Sequence, residues 1–358
     1  MGYKVLAINP GSTSTKIALF EDENEIYSEN IEHAADELNA FDRVGDQFEM
    51  RKDAILSSLN SNGYDVTILS AVVGRGGMLP PVKSGAYEVN AVMVDRLKNR
   101  AIYEHASNLG ALIAYEIANM AQVTAYIYDS VRVDEMNDVA RISGMVDIPR
   151  ESNSHALNSR AMALKLSKQL GKAYDQMNFI VAHMGGGISI SVHEKGKMVD
   201  IIADDEGPFS PERAGRVPCK QLVNFCYSEK YSLKDIKNVM RTQSGLKGYL
   251  GTADARAVEK MIEQGDAYAK LIYESLAYQV SKGIGELATV VDGKVDAIIL
   301  TGGIAHSKLL TSWIEKKVAF IASVYVLPGE NEMSALALGA LRVLRNEEVA
   351  SQYSESDA

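Results

Sequence analysis

The 358-residue chain is short of cysteine, of basic charge and of long apolar runs. Cys219 and Cys226 are its only two cysteines, with six residues between them and no CxxC or other zinc spacing. Two reduced thiols in a reducing compartment are therefore expected. No stretch reaches the roughly 18 apolar residues of a membrane span, and Met1-Gly2-Tyr3-Lys4-Val5 opens without a basic segment, apolar core and cleavage site. The expectation is a soluble, cytoplasmic protein with no membrane partner. Lys plus Arg number 37 against 47 Asp plus Glu, a formal charge of −10. A surface that negative repels polyanions, which argues against coating nucleic acid or anionic membrane but does not forbid one small anion. Familiar site motifs are missing as well. Gly-Lys occurs at 171, 196 and 293, never followed by Ser or Thr, so there is no Walker A loop. HExxH, GxSxG and the kinase HRD are absent too.

What is present is material for sizeable cores, 46% hydrophobic and 23% charged, in a length that suits two or three domains. Residues 3–20, YKVLAINPGSTSTKIALF, read as an apolar strand, a small-residue turn and an alternating strand. The pattern returns at 178–194, NFIVAHMGGGISISVHE, with Gly185 placed 174 residues after Gly11 and His183 in the position of Asn9. Two such hairpins half a chain apart suggest an internal duplication, with two lobes facing across a cleft. Strands are expected at about 66–73, 124–128, 197–203 and 295–303, and helices at about 91–121, 154–171 and 334–345. This alternation means α/β layers. Ile272, Leu276, Val280, Ile284, Leu287 and Val291 form an apolar stripe at helical period. The acidic tail EEVASQYSESDA is expected to fray.

Three constellations offer chemistry. The first is a set of turns after strands: Asn9-Pro10-Gly11-Ser12-Thr13-Ser14, His183-Met184-Gly185-Gly186-Gly187 and Thr301-Gly302-Gly303. Backbone N–H groups in such turns converge on phosphate oxygens, and glycine lets the backbone approach closely. The second is arginine beside glycine, at Gly74-Arg75-Gly76-Gly77 and Arg213-Ala214-Gly215-Arg216. In an acidic protein these suit a phosphate or carboxylate, which guanidinium pairs bidentately. The third is acidic or imidazole: Asp129 after a short strand, Glu330 and Glu332, and His105, His155 and His183. A carboxylate at a strand end can hold Mg²⁺ directly or through water. His33, His193 and His306 have no supporting context.

The segments AINPGSTSTKIAL, VVGRGG, EHASNLGALIA, VAHMGGGISISVHEKG, GPFSPERAGR, GYLGTADAR, ILTGGIAHS and PGENEMSALALGALRVL together resemble the butyrate kinases of the acetokinase family. They span nearly the whole chain. The resemblance implies an α/β fold of two duplicated ribonuclease-H-like (actin-like ATPase) lobes around a central nucleotide cleft. Residues 1–148 would form the N-terminal lobe, with a helix at about 334–350 packing back on it, and residues 149–333 the C-terminal lobe. The implied reaction is direct, in-line transfer between ATP and a short-chain carboxylate, butyrate plus ATP giving butyryl phosphate and ADP, reversibly.

By the same resemblance Arg75 and Arg213 flank the transferring group, with His155 also catalytic, and Asp129 and Glu332 lie near Mg²⁺. Asn9, Ser12 and Ser14 match a first phosphate turn, and His183, Gly185, Gly186 and Gly187 a second. Gly302 and Gly303 match a third, and Asp254 and Arg256 lie near adenosine. Glu330 is the alternative to Glu332. Glu151 stands where acetate kinases have a histidine, which argues against a plain acetate kinase. Isobutyrate, propionate or acetate as substrate, or an actin-like nucleotide switch without an acid substrate, are the rival readings. A homo-oligomer, dimer or higher, is implied.

Overall fold

The computed structural model describes residues 2–355 and divides into two compact units. One runs to Asp134 and resumes at Asn331; the other is Glu135–Glu330.

In chain order the strands are β1 (Lys4–Pro10), β2 (Ser14–Glu21), β3 (Asn24–Glu32), β4 (Ala71–Gly74), β5 (Ala86–Glu88), β6 (Thr124–Tyr128), β7 (Asn178–Met184), β8 (Ile188–Glu194), β9 (Lys197–Ile202), β10 (Ala297–Gly302), β11 (Val324–Pro328) and β12 (Ser351–Gln352). The first unit holds a seven-stranded sheet ordered β12-β5-β6-β4-β1-β2-β3, the second a five-stranded sheet ordered β11-β10-β7-β8-β9. In each, two antiparallel pairings make a three-strand meander, and the first strand of that meander pairs in parallel on its other side. Each meander also slips register at a matching place, Leu19/Phe20 in one and Val192/His193 in the other. The repeat read from Gly11 and Gly185 is thus a repeat of topology, down to the bulge.

Burial follows the sequence. β4 and β10 are buried at every residue and are nearly continuous apolar runs, as parallel strands covered on both faces must be. β3 carries Glu25, Glu29 and Glu32 on an exposed edge, which discourages pairing with another chain. The Ala267–Ala288 helix buries Ile272, Leu276, Val280, Ile284 and Leu287 against the second sheet. Gly283 lets it close in, since a Cβ there would lie 2.6 Å from Ile190 Cδ1.

Several boundaries differ from expectation, each for a local reason. The 66–73 stretch opens as a 3₁₀ turn, Val66–Ile68, because Asp65 accepts from the Thr67 amide at 2.8 Å; strand begins only at Ala71. The helix expected over 91–121 is two, Ala91–Asn99 and Asn108–Ala121. Asn108 fixes the break by accepting from the Met78 amide at 2.7 Å and donating to the Tyr103 carbonyl at 2.9 Å. The Ala156–Gln169 helix turns Met162, Ala163 and Leu166 to the core, while Ala161 and Leu164 are half-buried. Gly171 follows it at φ 70°, as its expected stop.

The last helix is Glu332–Leu344 and packs on β1, β4 and β6. The tail expected to fray is ordered through Glu355. β12 pairs with β5, Tyr353 is 2% exposed, and Asn90 Nδ2 donates to the Tyr353 carbonyl at 2.9 Å. The rest of the tail, from Ser356, lies outside the described residues.

Candidate active site

In the first unit, β1, β4 and β6 run parallel as neighbours, so their carboxyl ends lie side by side. Those ends are Asn9, Arg75 and Asp129, three residues far apart in sequence. The turn of the chain at Asn331 (φ 40°) then brings Glu332 in as the first residue of the returning helix. Its carboxylate accepts from Asn9 Nδ2 at 2.7 Å and pairs with Arg75 Nη1 at 2.5 Å. Arg75 can reach this place because two backbones cross without side chains. A Cβ on Gly74 would collide with the Gly110 carbonyl, and one on Gly110 would lie 2.6 Å from the Arg75 carbonyl oxygen.

Asp129 is buried at φ 41°, accepts from the Gly85 amide at 2.8 Å and donates its own amide to the Gly85 carbonyl at 3.2 Å. His105 is exposed at the surface and bonded through Nδ1 to Ser107 Oγ at 2.8 Å. Partial desolvation of the ring, then the nearby Arg75 charge, lower its pKa from the ordinary histidine value. The Gly11–Ser14 turn closes on itself, the Gly11 amide donating to the Ser14 carbonyl at 2.8 Å, and leaves Ser12 and Thr13 exposed.

The second unit repeats the plan with β7, β10 and β11. His183, near the carboxyl end of β7, stacks on His155 with ring centroids 3.9 Å apart and planes 9° from parallel. Asn158, one turn along the helix from His155, bonds His183 Nδ1 at 2.9 Å and Thr301 Oγ1 at 3.1 Å. His155 Nδ1 bonds Ser189 Oγ at 2.8 Å. Each imidazole is thus held through its Nδ1.

Gly302 sits at φ 87° against the Met184 carbonyl, where a Cβ has no room, whereas Gly186 and Gly303 face open space. Arg213 lies directly over Gly187, so closely that a Cβ there would overlap the guanidinium. Ser210 ties the two segments together: its hydroxyl donates to the Gly186 carbonyl at 2.6 Å and accepts from the Arg213 amide at 3.2 Å. Arg213 pairs with Asp204, whose carboxylate also stands 3.8 Å from Arg241. Burial, then Arg241, pull the Arg213 pKa down from its ordinary value, but a guanidinium stays charged.

Within this unit Glu330 lies beside Gly185, and within the first unit Glu332 lies between Asn9 and Arg75. The two candidate acids thus belong to different groups. Asp254 caps the Ala255–Glu263 helix and pairs with Arg256 at 2.9 Å on an exposed surface; these two bond each other rather than the glycine turns. Glu151 is exposed. His33 and His193 are core residues, the latter bonded by Tyr174 and Ser191 and held at a pKa of about 3 by burial, then by Arg160.

A model of the acetokinase family matches residues 150–322. Butyrate kinase 2 of Clostridium acetobutylicum is 50% identical over 355 residues, covering 99% of this chain and 100% of that protein. The chain belongs to the acetokinase family. Members of this family are carboxylate phosphotransferases, kinases that use ATP or ADP. Two solved structures agree in fold: an acetate kinase from Porphyromonas gingivalis (TM-score 0.80, 20% identity, 96% of this chain and 100% of that one) and a propionate kinase from Francisella tularensis (TM-score 0.74, 21% identity, 94% and 98%). The two-sheet α/β architecture is therefore that of the acetate and propionate kinases.

Placed in this family, the chain shows residues that reading the sequence did not single out. Asn158 follows His155 by three positions on one helix, Ser210 lies inside GPFSPERAGR, and Asp204 opens the acidic run just before it. A helical-spacing argument from His155 would have found the first. The contact of Asp204 with Arg213 has no sequence signal.

Proposed function

We propose that this protein is a butyrate kinase, transferring the γ-phosphoryl of ATP to butyrate to give butyryl phosphate and ADP, and running in reverse. The observation that carries the substrate is the 50% identity to a butyrate kinase along the entire chain. The geometry supports the chemistry. Each unit sets an arginine beside glycine, at the end of β4 in the first and over the turn after β7 in the second, with a carboxylate already paired to it.

A carboxylic acid near pKa 4 to 5 is ionised at neutral pH, so the nucleophile needs no general base. The obstacle is repulsion between a carboxylate and a polyphosphate, which calls for positive charge and in-line positioning. Arg75 orients the substrate carboxylate, exchanging its partner Glu332 for the ligand. Arg213 neutralises charge on the transferring phosphoryl, and the stacked His155 and His183 frame the same segment. Ser12 and Ser14, Gly185 to Gly187, and Gly302 with Gly303 donate backbone and hydroxyl N–H and O–H groups to phosphate oxygens. Asp254 and Arg256 lie toward the adenosine.

Among the described residues no group of three His, Cys, Asp or Glu gathers. That suits Mg²⁺, which takes one or two carboxylates and completes its shell with water and phosphate. Asp129 and Glu332 offer the hard oxygen donors that would hold it, and the ion would neutralise phosphate charge. We further read the protein as cytoplasmic and at least dimeric, which sedimentation tests. No helix among the described residues is long and apolar enough to cross a membrane.

The decisive experiment traps acyl phosphate as hydroxamate across acetate, propionate, butyrate, isobutyrate and valerate. Butyrate is expected to give the highest kcat/KM. A different preferred acid would replace the substrate, and ATP turnover independent of any acid would support a nucleotide switch. Arg213→Ala is expected to lower kcat on the order of 10³-fold, by analogy with arginine fingers; near-wild-type turnover with intact nucleotide binding would remove Arg213 from the mechanism.

A further inference from the structure

Behind the Gly11–Ser14 turn lies a charge that the reaction described above does not use. The Phe48–Ser61 helix buries Arg51, Ile55 and Leu59, so a guanidinium occupies the first place of an apolar stripe. It is 0% exposed. All five of its N–H donors are used: Nη1 donates to the Ser14 carbonyl at 3.0 Å and Thr15 Oγ1 at 2.9 Å, and Nη2 to the Ser12 carbonyl at 3.1 Å and Gln47 Oε1 at 2.9 Å. Nε reaches the same Gln47 oxygen at 3.1 Å. Every acceptor is neutral, and no carboxylate pairs with Arg51 among the described residues.

Its neighbour His33 does not add to the charge. His33 Nε2 bonds Thr15 Oγ1 at 2.8 Å, and burial together with Arg51 keeps the ring neutral. A single positive charge is thus held inside the unit without a counter-ion, an arrangement that desolvation opposes and that guanidinium cannot escape by losing a proton. Bracing a turn does not require it, because a neutral donor or a paired arginine would serve.

The direction of the bonds supplies the missing purpose. The Ser12 and Ser14 carbonyls both point inward to Arg51. In a planar trans peptide the N–H opposes the C=O, so the Thr13 amide points outward, between the exposed Ser12 and Thr13 side chains.

We propose that Arg51 is the positioning residue of the first phosphate turn: through the Ser12 and Ser14 carbonyls it sets the outward-facing donors, and its uncompensated charge draws a phosphoryl group onto them. This rests on the turn being a phosphoryl site, as read above. The ligand chemistry is a phosphoryl group, whether carried by ATP, an acyl phosphate or inorganic phosphate.

Gln47→Glu in the full-length protein separates charge from bracing. Gln47 Oε1 already accepts from both Nε and Nη2, so a carboxylate there keeps the bonds while cancelling the charge. The unfolding midpoint is expected to stay or rise, while calorimetric Kd for ATP, butyryl phosphate or inorganic phosphate rises about tenfold. A rise confined to ATP assigns the turn to the nucleotide phosphoryl, and one confined to butyryl phosphate and inorganic phosphate assigns it to the acyl side; either supports the proposal. A folded Gln47→Glu protein with wild-type Kd for all three ligands overturns it.

Should that variant not fold, Arg51→Lys and Arg51→Gln give the same decision. Affinity kept by the lysine and lost by the glutamine supports the role of charge, and equal affinity in both refutes it. Because binding is read without turnover, failure of the carboxylate panel would change the substrate and leave this test standing.

Discussion

Gly187 shows how a missing methyl group sets the place of Arg213, the residue proposed above to neutralise the transferring phosphoryl. Arg213 rests on it, and the guanidinium end is the mobile part of that contact. Gly187→Ala is therefore expected to push the guanidinium aside at little cost to the fold, within about 1 kcal/mol of stability. Turnover should fall about 10²-fold, the order expected of an ångström-scale misplacement. Urea unfolding and steady-state kinetics on one preparation check both halves; equal losses in stability and activity would point to global damage instead.

His193 makes a separate prediction about acid stability. Its folded pKa of about 3 lies below the ordinary 6.5 of an unfolded histidine. Above pH 6.5 both states are neutral and nothing depends on pH. Between 6.5 and 3 only the unfolded chain takes up the proton, so stability falls as pH falls, by up to about 2 kcal/mol at pH 5 from this residue. His193→Gln should flatten that part of the urea-unfolding profile between pH 7 and 5. An unchanged slope would show that His193 does not titrate in this way.

Elements were legible in the sequence where one strand or helix carried its own pattern. Both Gly-rich hairpins, the Ala267–Ala288 helix and the strand at 124–128 needed only local periodicity and glycine, whereas the third strand of the first meander, Asn24–Glu32, was not read. What escaped depended on distant partners. Arg51 looks like any charged helix residue because its acceptors are carbonyls 37 and 39 residues away. Asp204 earns its place from Arg213, and the helix break before Asn108 comes from Met78.

The tail is the clearest case: acidic and serine-bearing, it reads as solvated, yet β5 offers it an edge and Asn90 a bond. Tyr353→Ala should then cost about 3 to 5 kcal/mol, as for other buried aromatics. Urea unfolding checks this, with a change under 1 kcal/mol refuting the packing described.

At the scale of the whole molecule, a sheet and its covering helix are supplied from opposite ends of the chain. The second unit is continuous, Glu135–Glu330, with its own hydrophobic core. Expressed alone, that segment is expected to unfold cooperatively with a near-native far-UV spectrum, whereas residues 1–134 alone should lack a sharp transition. A cooperative transition in the 1–134 fragment would contradict this. The reason is Glu332–Leu344, which covers β1, β4 and β6 and brings Glu332 to Asn9 and Arg75.

That return has a consequence in time. On a ribosome adding about 5 to 20 residues per second, the first sheet emerges roughly 10 to 40 seconds before the helix that covers it. The unit made first is thus completed last. During that interval the sheet face opposite the Asn108–Ala121 helix, Val73 and Tyr128 among it, is the surface a chaperone would meet, and a nascent chain stalled before Asn331 should be held there rather than released.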